Sequence, residues 1–171
     1  ETYIQNVCLP LYGNTHTNTS VTGSQSTAFV AEARQIVAEA VNAKITGKAA
    51  LDVVMFAGSG TTSAVQLLID CLGISNANNH TNTEDAANSR PVIFVGPYEH
   101  HSNLLPWRES GAQIVMVPEN TLTNTLDYQA LEQLLKLEKY GYNPTTGKVT
   151  RVRMGTFTAA SNVTGKVSNI N

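Results

Sequence analysis

Residues 51–73 read LDVVMFAGSGTTSAVQLLIDCLG. The stretch opens on a continuous apolar run, LDVVMFAG at 51–58, which carries β-branched residues and closes on glycine. Such a run predicts a strand buried on both faces, as in a parallel sheet. From Thr61 the period changes. Val65, Leu68, Ile69 and Leu72 fall on one face of a helix over 61–73, with Gly73 as its stop. A strand that feeds a helix through a short glycine turn is the repeating unit of an α/β fold, and the flanking sequence extends it.

Downstream, PVIFVG (91–96), QIVMVP (113–118) and VTRVRMGTFTA (149–159) each predict a strand. Helices are expected over 103–110 and 126–137, the second with Asp127 near its start. Upstream, Ala28, Phe29, Ile36, Val37, Ala40 and Val41 recur at helical spacing within 26–43, with Ser24 or Ser26 as the N-cap. The alternation predicts an α/β fold of three layers, helix–sheet–helix, around a mostly parallel sheet. Residues 1–25 are polar and turn-rich and are expected to form an arm with loops. Residues 26–171 are expected to form one domain, truncated at its C-terminal end. The inserts at 75–89 and 140–148 are polar, and the first is expected to be mobile.

Composition narrows the function classes. The chain has 171 residues, 42% hydrophobic and 14% charged, with a net charge of −2 and a pI near 6.1, so a globular domain is expected. No basic stripe suggests nucleic acid, and no Lys/Arg cluster suggests a membrane surface. No apolar run is long enough to span a bilayer. Cys8 and Cys71 make no disulfide framework, and that usage fits a reducing compartment. Cytoplasm is expected, with the mitochondrion as the other compartment. Glu1 follows no initiator methionine and the chain stops in GKVSNIN, so a piece of a longer protein is expected.

In parallel sheets ligands collect beyond the carboxyl ends of the strands, so candidate residues lie just after each one. After the 51–58 run, Gly58 and Gly60 let the backbone come close, and Thr61 and Thr62 open a helix. A helix N-terminus with hydroxyls suits a phosphate group. A capped strand–helix turn would need the same residues. After PVIFVG come His100 and His101. Side chains of neighbours on an extended segment point to opposite faces, so these two are not a metal pair, and no metal is expected. After the last run come Ser161 and Asn162, whose amide can donate to a ligand oxygen; an ordinary Asn turn is the alternative. Together the three provide a phosphate cradle, a flat ring and an amide donor, which a planar phosphorylated heteroaromatic cofactor would use.

With YGNTHTNTS, AEAR, GSGTTSAVQLL, EHHSNLLPW, GAQIVMVP and SNVTG in this order, the chain resembles the class V aminotransferase group of fold-type-I enzymes that use pyridoxal 5'-phosphate. Within it, the chain looks most like the cysteine desulfurase and selenocysteine lyase branch, molybdenum-cofactor sulfurases included. EHHSNLLPW is the most specific element. The resemblance implies an incomplete large domain of that fold over 26–171. It implies that Gly60, Thr61 and Thr62 hold the cofactor phosphate, that His100 stacks on the ring and assists proton transfer, and that Asn162 hydrogen-bonds the ring oxygen. It gives His101 no comparable role, so a structural one is expected. Thr15 stands where the family often has proline.

The same resemblance implies what the chain lacks. No Ser-x-His-Lys element with a Schiff-base lysine occurs in it, nor the aspartate that pairs with the ring nitrogen, and neither cysteine matches the family's persulfide cysteine. Cys71 is expected to be inert packing on a core-facing helix. The expected function is therefore part of an enzyme acting on amino acids, with cysteine as the favoured substrate and alanine as product, the 171-residue chain itself being inactive. The parent is expected to be a homodimer and this chain prone to self-association through unpaired strand edges. Two alternatives stand: another class V enzyme (aminotransferase, epimerase or kynureninase-like lyase), or a phosphate-ligand-binding α/β domain that does not use pyridoxal phosphate.

Overall fold

The computed structural model describes residues 1–74 and 90–169. The expected polar insert at 75–89 lies outside the described residues. The chain divides into two compact units, Glu1–Phe56 and Ala57–Asn171.

In the first unit the expected arm is partly helical. A π-helical turn at Ile4–Cys8 runs into a 3-10 turn at Leu9–Leu11, where Pro10 sits in the first turn and its missing N–H costs nothing. Helix α1 (Val21–Ala40) starts earlier than its apolar periodicity suggests, because Ser20 is its N-cap: the Ser20 hydroxyl accepts from the Gly23 N–H at 3.1 Å. Ile36, Val37 and Val41 are exposed, while Ala38 is buried.

The expected strand at 51–58 does not form. Leu51, Val53, Met55 and Phe56 are 93%, 71%, 54% and 54% exposed. A strand requires a neighbour to satisfy its N–H and C=O groups. Here local bonds take their place: the Lys44 carbonyl accepts from Leu51 N and Asp52 N, both at 3.2 Å, and the Asp52 carboxylate accepts from Lys44 N at 2.7 Å.

The second unit holds the sheet. Helix α2 (Thr61–Cys71) leads to strand β1 (Val92–Val95), helix α3 (His101–Glu109) and strand β2 (Gln113–Met116). A small antiparallel pair, β3 (Glu119–Asn120) and β4 (Thr125–Leu126), precedes helix α4 (Tyr128–Leu135) and strand β5 (Arg153–Thr156). The main sheet has the order β2-β1-β5, all parallel, with Val95 opposite Met116 on one side and Thr156 on the other.

Strand β1 is buried on both faces, as its apolar run requires. Ile93 and Val95 face a core that contains Ile69 of α2, Trp107 of α3, Ile74 and Ala112. Val92 and Phe94 face the other core, with Val115, Leu126, Tyr140 and the partly buried Leu131, Leu134 and Leu135 of α4. The unit is thus three layers, α2 and α3, sheet, α4. Tyr140 meets Phe94 edge-on, with ring centroids 5.7 Å apart. Helix α2 turns Val65 and Ile69 inward, one helical turn apart, and leaves Leu68 and Leu72 about half exposed. Cys71 lies two residues beyond Ile69, on the far side of the helix, and is exposed; it is not the packing residue expected.

Candidate functional site

Because β1, β2 and β5 are parallel, their carboxyl ends share one edge, and the chain leaves β1 and β5 beside each other. The N-terminus of α2 faces the same region: Ser59, Thr61 and Thr62 line a cleft of about 500 Å3 with Glu99, His100, Ser102, Asn103 and Thr158. A second cleft of about 450 Å3 is lined by Tyr98, Glu99, His100, His101, Ser161, Asn162 and Thr164. The expected residues are therefore divided between two clefts that share His100 and Glu99. Thr61, Thr62 and His100 meet in the first, and His100 and Asn162 in the second.

The α2 end of the site is open. Gly60 is its N-cap, at φ 84° and ψ −159°, a conformation essentially reserved for glycine, and no side chain caps the helix. Nothing lies within 4 Å of where a Cβ on Gly60 would stand. The Ser59 N–H is taken by the Ser63 hydroxyl at 3.2 Å. The N–H groups of the first turn and the Thr61 hydroxyl, on an exposed residue, are thus available to an anion.

His100 does more than its sequence suggests. It is the N-cap of α3, and its Nδ1 accepts from the Ser102 N–H at 3.1 Å. With Nδ1 an acceptor, the proton of the neutral ring sits on Nε2. His101, the first residue of α3, does not continue the extended backbone. Its ring stands 6.4 Å from that of His100, tilted by 50°, and lines the same cleft as Asn162. The expectation that the two rings lie on opposite faces fails because a helix begins between them. Among the described residues no group of three or more His, Cys, Asp and Glu side chains could hold a metal ion. No helix among them is long and apolar enough to cross a membrane.

Asn162 is exposed on a turn organised by Ser161. The buried Ser161 hydroxyl accepts from Val163 N at 3.3 Å and Thr164 N at 3.2 Å, and its carbonyl accepts from Gly165 N at 2.9 Å. The serine builds the loop that presents the asparagine.

Glu99 and Asn103 carry the densest polar contacts here, and neither was among the expected residues. Glu99 accepts from Asn103 Nδ2 and from the Thr158 N–H, both at 2.6 Å. Asn103 Oδ1 accepts in turn from Trp107 Nε1 at 3.3 Å and from the Thr156 hydroxyl at 2.8 Å. Only part of this was legible in the sequence: Asn103 and Trp107 stand four apart on α3, whereas Glu99 precedes the helix and its Thr158 partner is distant in the chain. Beside them the Tyr98 hydroxyl is buried without a hydrogen-bond partner, although Glu119 is near; burial, and then that carboxylate, push its pKa up to about 12.

A family model, aminotransferase class-V, matches residues 2–171. No curated protein sequence matches. Among solved structures, the chain is similar to the cysteine desulfurase CsdA of Escherichia coli, crystallised in an S-sulfonic acid form. The identity is 24% and the TM-score 0.52, over 92% of this chain and 33% of that one. The likeness is one of fold, and this chain spans about a third of that protein's length.

Proposed function

This chain belongs to the class V aminotransferase family, and from that membership we propose that it is part of an enzyme using pyridoxal 5'-phosphate to act on an amino acid, with cysteine as substrate and alanine as product. The observation that carries the reading is the convergence of the α2 N-terminus, His100 and Asn162 on two clefts with shared walls. A phosphate group fits the first. Its charge is met by the open N–H groups behind Gly60 and by the hydroxyls of Thr61 and Thr62. His100 stands in the wall of both clefts, with Nε2–H as the ring's donor and the imidazole plane available for stacking. Asn162 offers its carboxamide from the turn that Ser161 holds.

When bound, the cofactor supplies an electron sink for a carbanion at the amino acid's α carbon. The residues here would bind and orient it, and His100 would hold or release a proton at Nε2. No Ser-x-His-Lys element occurs in these 171 residues, so the chain alone should bind the cofactor weakly and form no alanine from cysteine. Cytoplasmic residence and a homodimeric parent belong to the same proposal.

Calorimetry with pyridoxal 5'-phosphate and ATP tests the reading. The expected result is detectable binding of the former, weakened about tenfold or more by the double substitution Thr61→Val and Thr62→Val, which removes two hydrogen bonds to a charged group. Tighter binding of ATP would turn the assignment to a phosphate-ligand domain without this cofactor. Alanine formation by the chain alone would overturn the inactivity.

A further inference from the structure

Glu99 lines both clefts of the proposed site and also a third, of about 540 Å3, beside Tyr98, Tyr128 and Phe157. Its carboxylate joins elements that the sheet does not. Register between β1 and β5 ends at Val95 opposite Thr156. Beyond that point the β1–α3 corner and the β5 exit are linked by Glu99 to the Thr158 N–H at 2.6 Å, and by Asn103 Oδ1 to the Thr156 hydroxyl at 2.8 Å. His100 directly follows Glu99, and Asn162 lies on the turn just after Thr158. Room for the carboxylate is made by Gly96: a Cβ there would stand 2.8 Å from Glu99 Oε1.

The bonding demands a carboxylate. Both oxygens of Glu99 act as acceptors, one for a backbone N–H and one for the Asn103 amide nitrogen. A glutamine has one acceptor oxygen, so its NH2 group would face a donor on one side. Asn103 cannot resolve the conflict by turning its amide over, because its oxygen already serves Trp107 and Thr156.

The geometry points to Glu99 as a positioning residue: its carboxylate braces the His100 corner against the β5 exit and fixes the span between His100 and Asn162 for a ring-bearing phosphate ligand. This rests on the reading of the clefts given above.

The test is the isosteric substitution Glu99→Gln, with Glu99→Ala beside it, in the full 171-residue chain. Binding of pyridoxal 5'-phosphate and of inorganic phosphate is measured by calorimetry. The indole N–H resonance of Trp107, the single tryptophan, reports on Asn103. Expected in Glu99→Gln are a shifted indole resonance, pyridoxal phosphate affinity lower by about tenfold, and phosphate affinity unchanged, since phosphate alone needs only the α2 end. Wild-type affinity for pyridoxal phosphate with an unmoved indole signal would overturn the inference, as would an equal loss for both ligands with a lower melting temperature. If the unsubstituted chain binds neither ligand, the reading of the clefts fails and takes this role with it. If it binds both and Glu99→Gln changes neither, only the role of Glu99 falls.

Discussion

Tyr98 shows what a single buried hydroxyl does to the chemistry around it. Its folded pKa, about 12, lies above the ordinary value of 10.0. The folded chain therefore holds this proton between those values when the unfolded chain has released it, and stability falls as pH rises through that window. Spectrophotometric titration of the phenols should show one tyrosine ionising last and together with alkaline unfolding; Tyr98→Phe should remove that late component. A titration in which all six tyrosines ionise at ordinary pH before unfolding would contradict the burial. Residue by residue, the sequence marked Thr61, Thr62, His100 and Asn162, because each sits just after an expected strand. It did not mark Glu99, whose importance lies in partners far along the chain, Thr158 above all.

At the level of elements, capping decides the boundaries. Asp127 is the N-cap of α4, its carboxylate accepting from the Ala130 N–H at 2.9 Å. Asp127→Ala should lower stability by about 1 kcal/mol, read by denaturant midpoint with unchanged slope. A larger loss would mean that the carboxylate does more than cap. The helix expected over 126–137 is shorter at both ends: Leu126 is held in the small β3–β4 pair, and the helix stops at Leu135. Gly73 does end its helix as expected, at φ 68° with its N–H on the Asp70 carbonyl at 3.0 Å. The 51–58 run is the instructive failure. Its apolar pattern is that of a buried strand, but pattern describes what a segment can do, and pairing requires a neighbour. Here the N–H groups of Leu51 and Asp52 are taken by the Lys44 carbonyl instead.

For the molecule as a whole, exposed apolar surface is the dominant feature. The outer strands β2 and β5 each have one side without a strand partner among the described residues. Leu51, Val53 and Phe56 in one unit and Val152 and Phe157 in the other stand open to solvent. Exposed edges and apolar side chains favour pairing with other chains. Light scattering over a concentration series should show self-association; a monodisperse monomer at high concentration would count against it.

The sequence by itself determined the α/β class, the strands β1, β2 and β5, the helices beside them and the strand ends where the candidate residues lie. Those follow from local periodicity and from glycine, which act within a few residues of themselves. Only the tertiary structure decided that 51–58 forms no strand, that His100 caps α3 while His101 joins it on one cleft, and that Glu99 ties two strand exits together. Each of these depends on which distant group arrives to satisfy a donor or acceptor, and no short stretch of sequence contains that information.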